Sequence, residues 1–177
     1  MTLLDFFKNT SNLKNISRQG WRDKLSIEHP VSVADHSYSM AIMAMIISDL
    51  ENYNSEKILK MILLHDLAES KIGDYTPNQI SKENKIKIEN KAYDEIINAL
   101  PDVIKLQYAQ IWEEYQKQES PESKIVHQID KLEMALQAKM YQKEGSSKEA
   151  IESFFKSAEN EITHPKLKDI LNQILQD

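Results

Sequence analysis

Signals that start an α-helix recur along this 177-residue chain, while the apolar–polar alternation of a β-strand is nearly absent. Ser32 with Asp35, Ser55 ahead of an apolar-periodic run, Ser120-Pro121, and Ser146 with Glu149 each supply a helix start. Thr76-Pro77 with Gln79 combines a capping box with proline at the first helical position. The chain has only three glycines, Gly20, Gly73 and Gly145, and each falls where the periodic pattern breaks. The pattern predicts helices over 2–12, 33–50, 55–69, 77–99, 101–118, 121–144, 147–159 and 165–176, with a loop carrying RQGWR between the first two. Neither an internal repeat nor a low-complexity linker divides them, so the expectation is an all-α, single-domain bundle over residues 1–177.

Composition narrows the function classes. There is no cysteine, which removes disulfides, thiolate nucleophiles and thiolate metal sites together. Any metal must then sit on nitrogen and oxygen donors, and the chain suits a reducing cytoplasm. A net charge of −6 argues against a broad nucleic-acid footprint, yet a bound cation and a few local bases can still prepare one cleft for a small phosphorylated substrate. No apolar run approaches the roughly 20 residues needed to cross a bilayer. The opening MTLLDFFKNT does not read as a secretory signal. The only two arginines, Arg18 and Arg22, are clustered in RQGWR.

Polar residues stand where the helical pattern calls for apolar ones. The stripe of Met40, Met43, Ala44 and Ile47 extends back by one turn to His36. Ile58 and Ile62 continue to His65, and Leu59 and Leu63 continue to Asp66. Val126 and Met134 bracket Asp130, and Glu69 lies one turn beyond His65. A buried carboxylate costs several kcal/mol unless compensated, and two of them beside two imidazoles invite a cation. Donors projecting from facing helices are how bundle-core metal sites are built. Taken singly, such a residue is more often a satisfied core polar group than a ligand. The aromatics Tyr108, Trp112, Tyr115, Phe154 and Phe155 read as core by default, with a dimer surface as the alternative.

Order and spacing add what single residues do not. VADHSYSMA, then LLHDLAESKIGD, then HQIDKLEMALQA resembles the H…HD…D signature of HD-domain metal-dependent phosphohydrolases. More narrowly, RQGW ahead of the first histidine and the HDxxExxxGD pattern resemble the short HD-domain 5′-deoxynucleotidases. The likeness runs over about residues 10–140, with the C-terminal helices, 147–177, beyond it.

The resemblance implies one divalent cation (Mn, Co, Mg, Fe, Ni or Zn) held by His36, His65, Asp66 and Asp130. It implies Glu69 and Asp74 as acidic residues that activate water and hold the deoxyribose, and Arg18 and Trp21 at the nucleotide end of the site. It also implies a homodimer acting on a small nucleotide, with neither a nucleic-acid nor a membrane partner. Asp35 is assigned to capping and His164 to a helix start, while His29, His127 and Arg22 remain open. Trp21 can equally stack on a base or pack the loop. Two alternatives stay beside the deoxynucleotidase reading. One is an HD-type hydrolase of a triphosphate, alarmone or cyclic nucleotide, and the other is a non-catalytic metal-binding module.

Overall fold

The computed structural model describes residues 2–177. Helix α1 (Leu3–Asn12) runs through a single 3-10 turn into α2 (Gln19–Leu25), followed by α3 (Val33–Glu51) and α4 (Ser55–His65). The short α5 (Glu69–Ile72) leads to α6 (Lys82–Ile97) and α7 (Asp102–Lys117). The long α8 (Pro121–Lys143), α9 (Lys148–Glu161) and α10 (Pro165–Gln176) complete the bundle. The architecture is all-α, with one isolated antiparallel bridge between Ser17 and Ser32 among the described residues. No described helix is long and apolar enough to cross a membrane.

Local chemistry explains most boundaries. Ser32 Oγ accepts from the Asp35 amide at 3.1 Å while Asp35 Oδ2 accepts from the Ser32 amide at 2.8 Å, a complete capping box at the start of α3. Ser120 caps α8 with Pro121 at its first position. Two expected starts move by one residue: Asn54 rather than Ser55 caps α4, and Ser147 rather than Ser146 caps α9. The helix expected from 77 begins only after Ser81. Gln79 does accept from the Thr76 amide at 3.0 Å, but Thr76 Oγ1 donates to Asp23 instead of capping, and the turn is not continued.

The RQGWR segment is a helix rather than a loop, and Gly20 lies inside it instead of at a break. Its seven residues are too few to hold on local propensity. Tertiary contact holds them: Trp21 packs with Ala138, Tyr141, Ile151 and Phe154 in a small apolar cluster separate from the main core.

The main core is built around α8, whose Ile125, Val126, Ile129, Leu132 and Ala135 are buried against α3, α4, α7 and α10. Trp112 is buried and Tyr108 and Tyr115 pack partly against that core, whereas Phe154 joins the Trp21 cluster. The expected aromatics are therefore packed within the chain.

Candidate metal centre and phosphate cleft

His36 projects from the first turn of α3, and the capping box that starts the helix fixes where that turn begins. Its ring is 1% exposed and continues the inward stripe of Met40, Ala44 and Ile47. His65 is the last residue of α4 and follows Ile58 and Ile62 into the interior. Its Nδ1 lies 2.6 Å from the Ile62 carbonyl oxygen, which leaves Nε2 to face His36.

Asp66 reaches the same place by a route the periodic pattern does not describe. Leu63, expected on the inward stripe leading to it, is 57% exposed. Helix α4 instead stops at His65, and Asp66 leaves the helical conformation with φ −107° and ψ 12°. That turn swings its carboxylate back until Oδ2 stands 3.1 Å from His65 Nε2 and 3.9 Å from His36 Nε2. Asp130 enters from the middle of α8, with Oδ1 3.2 Å from His36 Nε2.

Among the described residues, His36, His65 and Asp66 each bring one donor atom within 4.8 Å of the others. Asp130 borders this trio through His36. The Nε2 atoms of both histidines are buried without a hydrogen-bond partner. Two orphaned imidazole nitrogens converging with two carboxylates is an expensive arrangement for a core and a suitable one for a divalent cation.

Charge in the cleft is tightly balanced. Burial would raise Asp66, but His65, Arg18 and His36 together hold it below the usual carboxylate range. Burial likewise opposes ionisation of Asp130, and His36, Lys131 and Arg18 outweigh it. Burial and Arg18 push His36 down, yet Asp130 and Glu133 more than offset them and lift it to about 9.

Arg18 stands as the N-cap residue of α2, immediately after the Ser17–Ser32 bridge. Its amide donates to the Val31 carbonyl at 3.1 Å, and the Val33 amide donates to Ile16 at 2.8 Å. These backbone bonds carry the guanidinium to the cleft, where Nη1 donates to Asp66 Oδ2 at 3.0 Å and Nη2 lies 3.9 Å from Asp130.

Glu69 opens α5 and is 2% exposed, with Oε2 unpartnered and Oε1 3.6 Å from Lys85 Nζ. Burial, Asp66 and Asp74 push it well above the ordinary carboxylate range against the pull of Arg18 and Lys85. Asp74 follows Gly73, whose φ of 82° suits glycine and turns the chain out of α5. Asp74 Oδ2 accepts from the Gln19 amide at 2.8 Å, tying this turn to the residue after Arg18.

A profile of the HD-domain family matches residues 10–171. The chain belongs to the HD-domain family. This HD domain is 36% identical over 176 residues to the 5′-deoxynucleotidase HDDC2 of Danio rerio, covering 99% of this chain and 87% of that protein. It is 38% identical over 182 residues to the 5′-deoxynucleotidase hdd1 of Schizosaccharomyces pombe, covering 100% and 90%. Among solved structures, a conserved hypothetical protein from Pyrococcus furiosus superposes with a TM-score of 0.81 at 28% identity, over 98% of this chain and 99% of the other.

The remaining candidates separate. Trp21, expected beside the nucleotide, is 4% exposed, with its ring 4.2 Å from Phe154 and 5.3 Å from Tyr141. Both neighbours are core residues of the small cluster, so the structure places Trp21 in packing rather than on an open stacking face. Arg22 donates to the Glu28 carbonyl at 2.9 Å, and His29 is exposed. His127 stacks on Tyr115 at 4.2 Å and puts Nε2 3.0 Å from the Tyr115 carbonyl, so that nitrogen is engaged away from the cluster. His164 is the N-cap residue of α10.

Three further residues border the cleft. Lys85 lies beside Glu69 and donates to the Tyr75 carbonyl at 3.1 Å. Lys131 stands 3.3 Å from Asp130 Oδ2. Glu133 meets His36 Nδ1 at 2.5 Å. Lys131 directly follows Asp130 in the sequence and Glu133 lies one turn after it, whereas Lys85 is remote from every motif residue.

Proposed function

We propose that this HD-domain protein is a metal-dependent phosphomonoesterase that converts deoxynucleoside 5′-monophosphates to deoxynucleosides and phosphate. The observation that carries the reading is the convergence of His36, His65, Asp66 and Asp130 beside Glu69 and Arg18. It occurs in a chain that is similar, over nearly its whole length, to proteins named 5′-deoxynucleotidases. The proposal treats residues 1–177 as one HD domain, supported by a family match that runs past the motif region into α10.

His36, His65, Asp66 and Asp130 would hold one divalent cation, and two nitrogens with two carboxylates suit Mn, Co, Fe, Ni or Mg better than a structural zinc site, with catalytic zinc still open. A cation held there would supply positive charge to the phosphoryl oxygens and favour ionisation of the attacking water. Arg18 offers a planar fork to the phosphate, a geometry lysine does not reproduce. Glu69 accepts a proton as a water oxygen bonds to phosphorus and the P–O5′ bond breaks. That proton then becomes available to the departing 5′ oxygen, a transfer favoured by a carboxyl held above its usual range. Asp74, one oxygen of which is held by the Gln19 amide, would accept from the sugar hydroxyls with its other oxygen.

The proposal includes a homodimer in the cytoplasm, the compartment suited to a chain without cysteine. Helix α3 exposes Tyr38, Ile42, Met45, Ile46 and Leu50 at helical spacing, which supports association of two copies there. Light scattering should give a dimer mass that Ile46→Lys lowers to a monomer, and a monomeric wild-type chain would remove this part of the reading.

The deciding experiment is chromatographic analysis of the nucleoside, nucleotide and phosphate products from matched deoxy- and ribonucleoside mono-, di- and triphosphates and a cyclic nucleotide, with Mn, Co, Mg and chelator arms. Turnover confined to deoxymonophosphates and abolished by chelator is the expected result. Preference for a triphosphate or cyclic ester moves the substrate class, and no turnover on any ester favours a binding module.

A further inference from the structure

The two ring nitrogens of His36 meet different surroundings. Nε2 turns toward His65, Asp66 and Asp130, whereas Nδ1 turns back into the bundle, where Glu133 Oε2 lies 2.5 Å away. Glu133 comes from α8, one turn after Asp130, and is 5% exposed. Among the described residues, its recorded hydrogen-bond and ion-pair partner is His36 alone. A carboxylate this deeply buried, with neither lysine nor arginine beside it, is costly unless its partner carries compensating charge.

His65 solves the same problem differently. Its Nδ1 faces a neutral carbonyl oxygen of its own helix, that of Ile62 at 2.6 Å. The two histidines thus differ in the group behind the ring, a side-chain carboxyl group for His36 and a peptide carbonyl for His65. A carboxylate at Nδ1 keeps the proton there, leaves the Nε2 lone pair free, and makes the imidazole a stronger donor to a cation. The carbonyl behind His65 orients its ring with much less of that electronic effect.

We infer that Glu133 is a positioning residue for the metal centre: held by α8 against His36 Nδ1, it fixes the tautomer of that ring and strengthens its hold on the divalent cation. This rests on the reading of His36 as a ligand. Glu133 itself touches neither substrate nor the reacting atoms. Spacing it one turn from Asp130 lets a single rigid helix supply a carboxylate beside Nε2 and another behind Nδ1 of the same histidine.

The test is Mn²⁺ titration of the full chain by calorimetry, comparing wild type, Glu133→Gln and His65→Ala. Glutamine keeps the volume and an acceptor oxygen but removes the charge. The expected result is a Glu133→Gln protein with wild-type circular dichroism that binds Mn²⁺ about 10–100-fold more weakly. Its kcat should recover at saturating Mn²⁺, with the substrate KM unchanged. Affinity within about twofold of wild type in Glu133→Gln, while His65→Ala loses binding, overturns the inference and leaves the metal centre standing. Unchanged affinity in His65→Ala instead overturns the ligand reading and the inference with it. A second measurement needs no variant: long-range ¹H–¹⁵N spectra of the histidine-labelled wild-type chain with Zn²⁺. A His36 ring protonated at Nδ1 and metal-bound at Nε2 supports the inference, and the reverse tautomer defeats it even where Glu133→Gln does not fold.

Discussion

Arg18 Nη1 donates a hydrogen bond to Asp66 Oδ2 at 3.0 Å, joining residues 48 positions apart in the chain. The contact couples the loop ahead of α2 to the metal centre, and Arg18 also stands 3.9 Å from Asp130. If Asp66 and Asp130 hold the proposed cation, a guanidinium beside both carboxylates stands where a phosphate would meet it and the cation together. Arg18→Lys retains the charge but loses the fork. Loss of one charged hydrogen bond, about 1.5–3 kcal/mol, corresponds to a fall of roughly 10–100-fold in kcat/KM for a deoxynucleoside monophosphate. Steady-state kinetics with metal saturating checks this, and an unaltered kcat/KM would remove the phosphate role from Arg18.

His36, His65 and Asp130 were legible because a 3.6-residue period carries side-chain direction, and each ended or interrupted an apolar stripe. Asp66 is marked by its motif, but the helical period does not describe the path by which it reaches the cluster. The stripe through Leu63 points outward, and the carboxylate arrives because α4 ends one residue earlier. Helix α2 was hidden for a different reason. Seven residues containing a glycine have little intrinsic helicity, and what stabilises them is Trp21 against Tyr141 and Phe154, more than a hundred residues away. Lys85 lies in the lysine-rich stretch KENKIKIENK, where nothing local reveals that its ammonium stands beside Glu69.

The packing of Trp21 yields a stability prediction. Trp21→Ala should lower unfolding free energy by about 3–5 kcal/mol, the usual loss for truncating a buried aromatic. Trp21→Phe should melt earlier than wild type by a smaller margin while keeping the KM of the nucleotide. Thermal denaturation and initial-rate measurements on the same samples separate the roles. A KM raised more than about tenfold with an unchanged melting temperature would instead assign the ring to base recognition.

Asp74, proposed to read the sugar, is also tied to the residue after Arg18. Asp74→Asn can still accept from the Gln19 amide, so α2 should stay in place while the anionic contact to the sugar is lost. The ratio of kcat/KM between matched deoxy- and ribonucleoside monophosphates should narrow by about tenfold or more in that variant. Asp74→Ala should in addition raise KM for every phosphate ester, because the tether beside Arg18 is gone. Discrimination unchanged in Asp74→Asn would take the sugar-reading role away from this residue.

Glu69 and Lys85 predict a pH dependence whose sign follows from their placement. Glu69 must be ionised to accept a proton from water, so kcat/KM should rise with pH through its titration. Burial, Asp66 and Asp74 set that titration above the ordinary carboxylate range, and Lys85 at 3.6 Å opposes them. Lys85→Met removes a cation that favours the carboxylate, so the acid limb should move to higher pH, with activity approaching wild type well above the limb. Lys85→Arg, which keeps the charge, should leave the limb near its original position. Glu69→Gln should erase the limb and lower kcat by about 10²–10⁴-fold. Rate–pH profiles of the four proteins at saturating metal decide the point. A limb that stays fixed in Lys85→Met would mean that Lys85 does not tune the base, and a limb that survives in Glu69→Gln would mean that the base lies elsewhere.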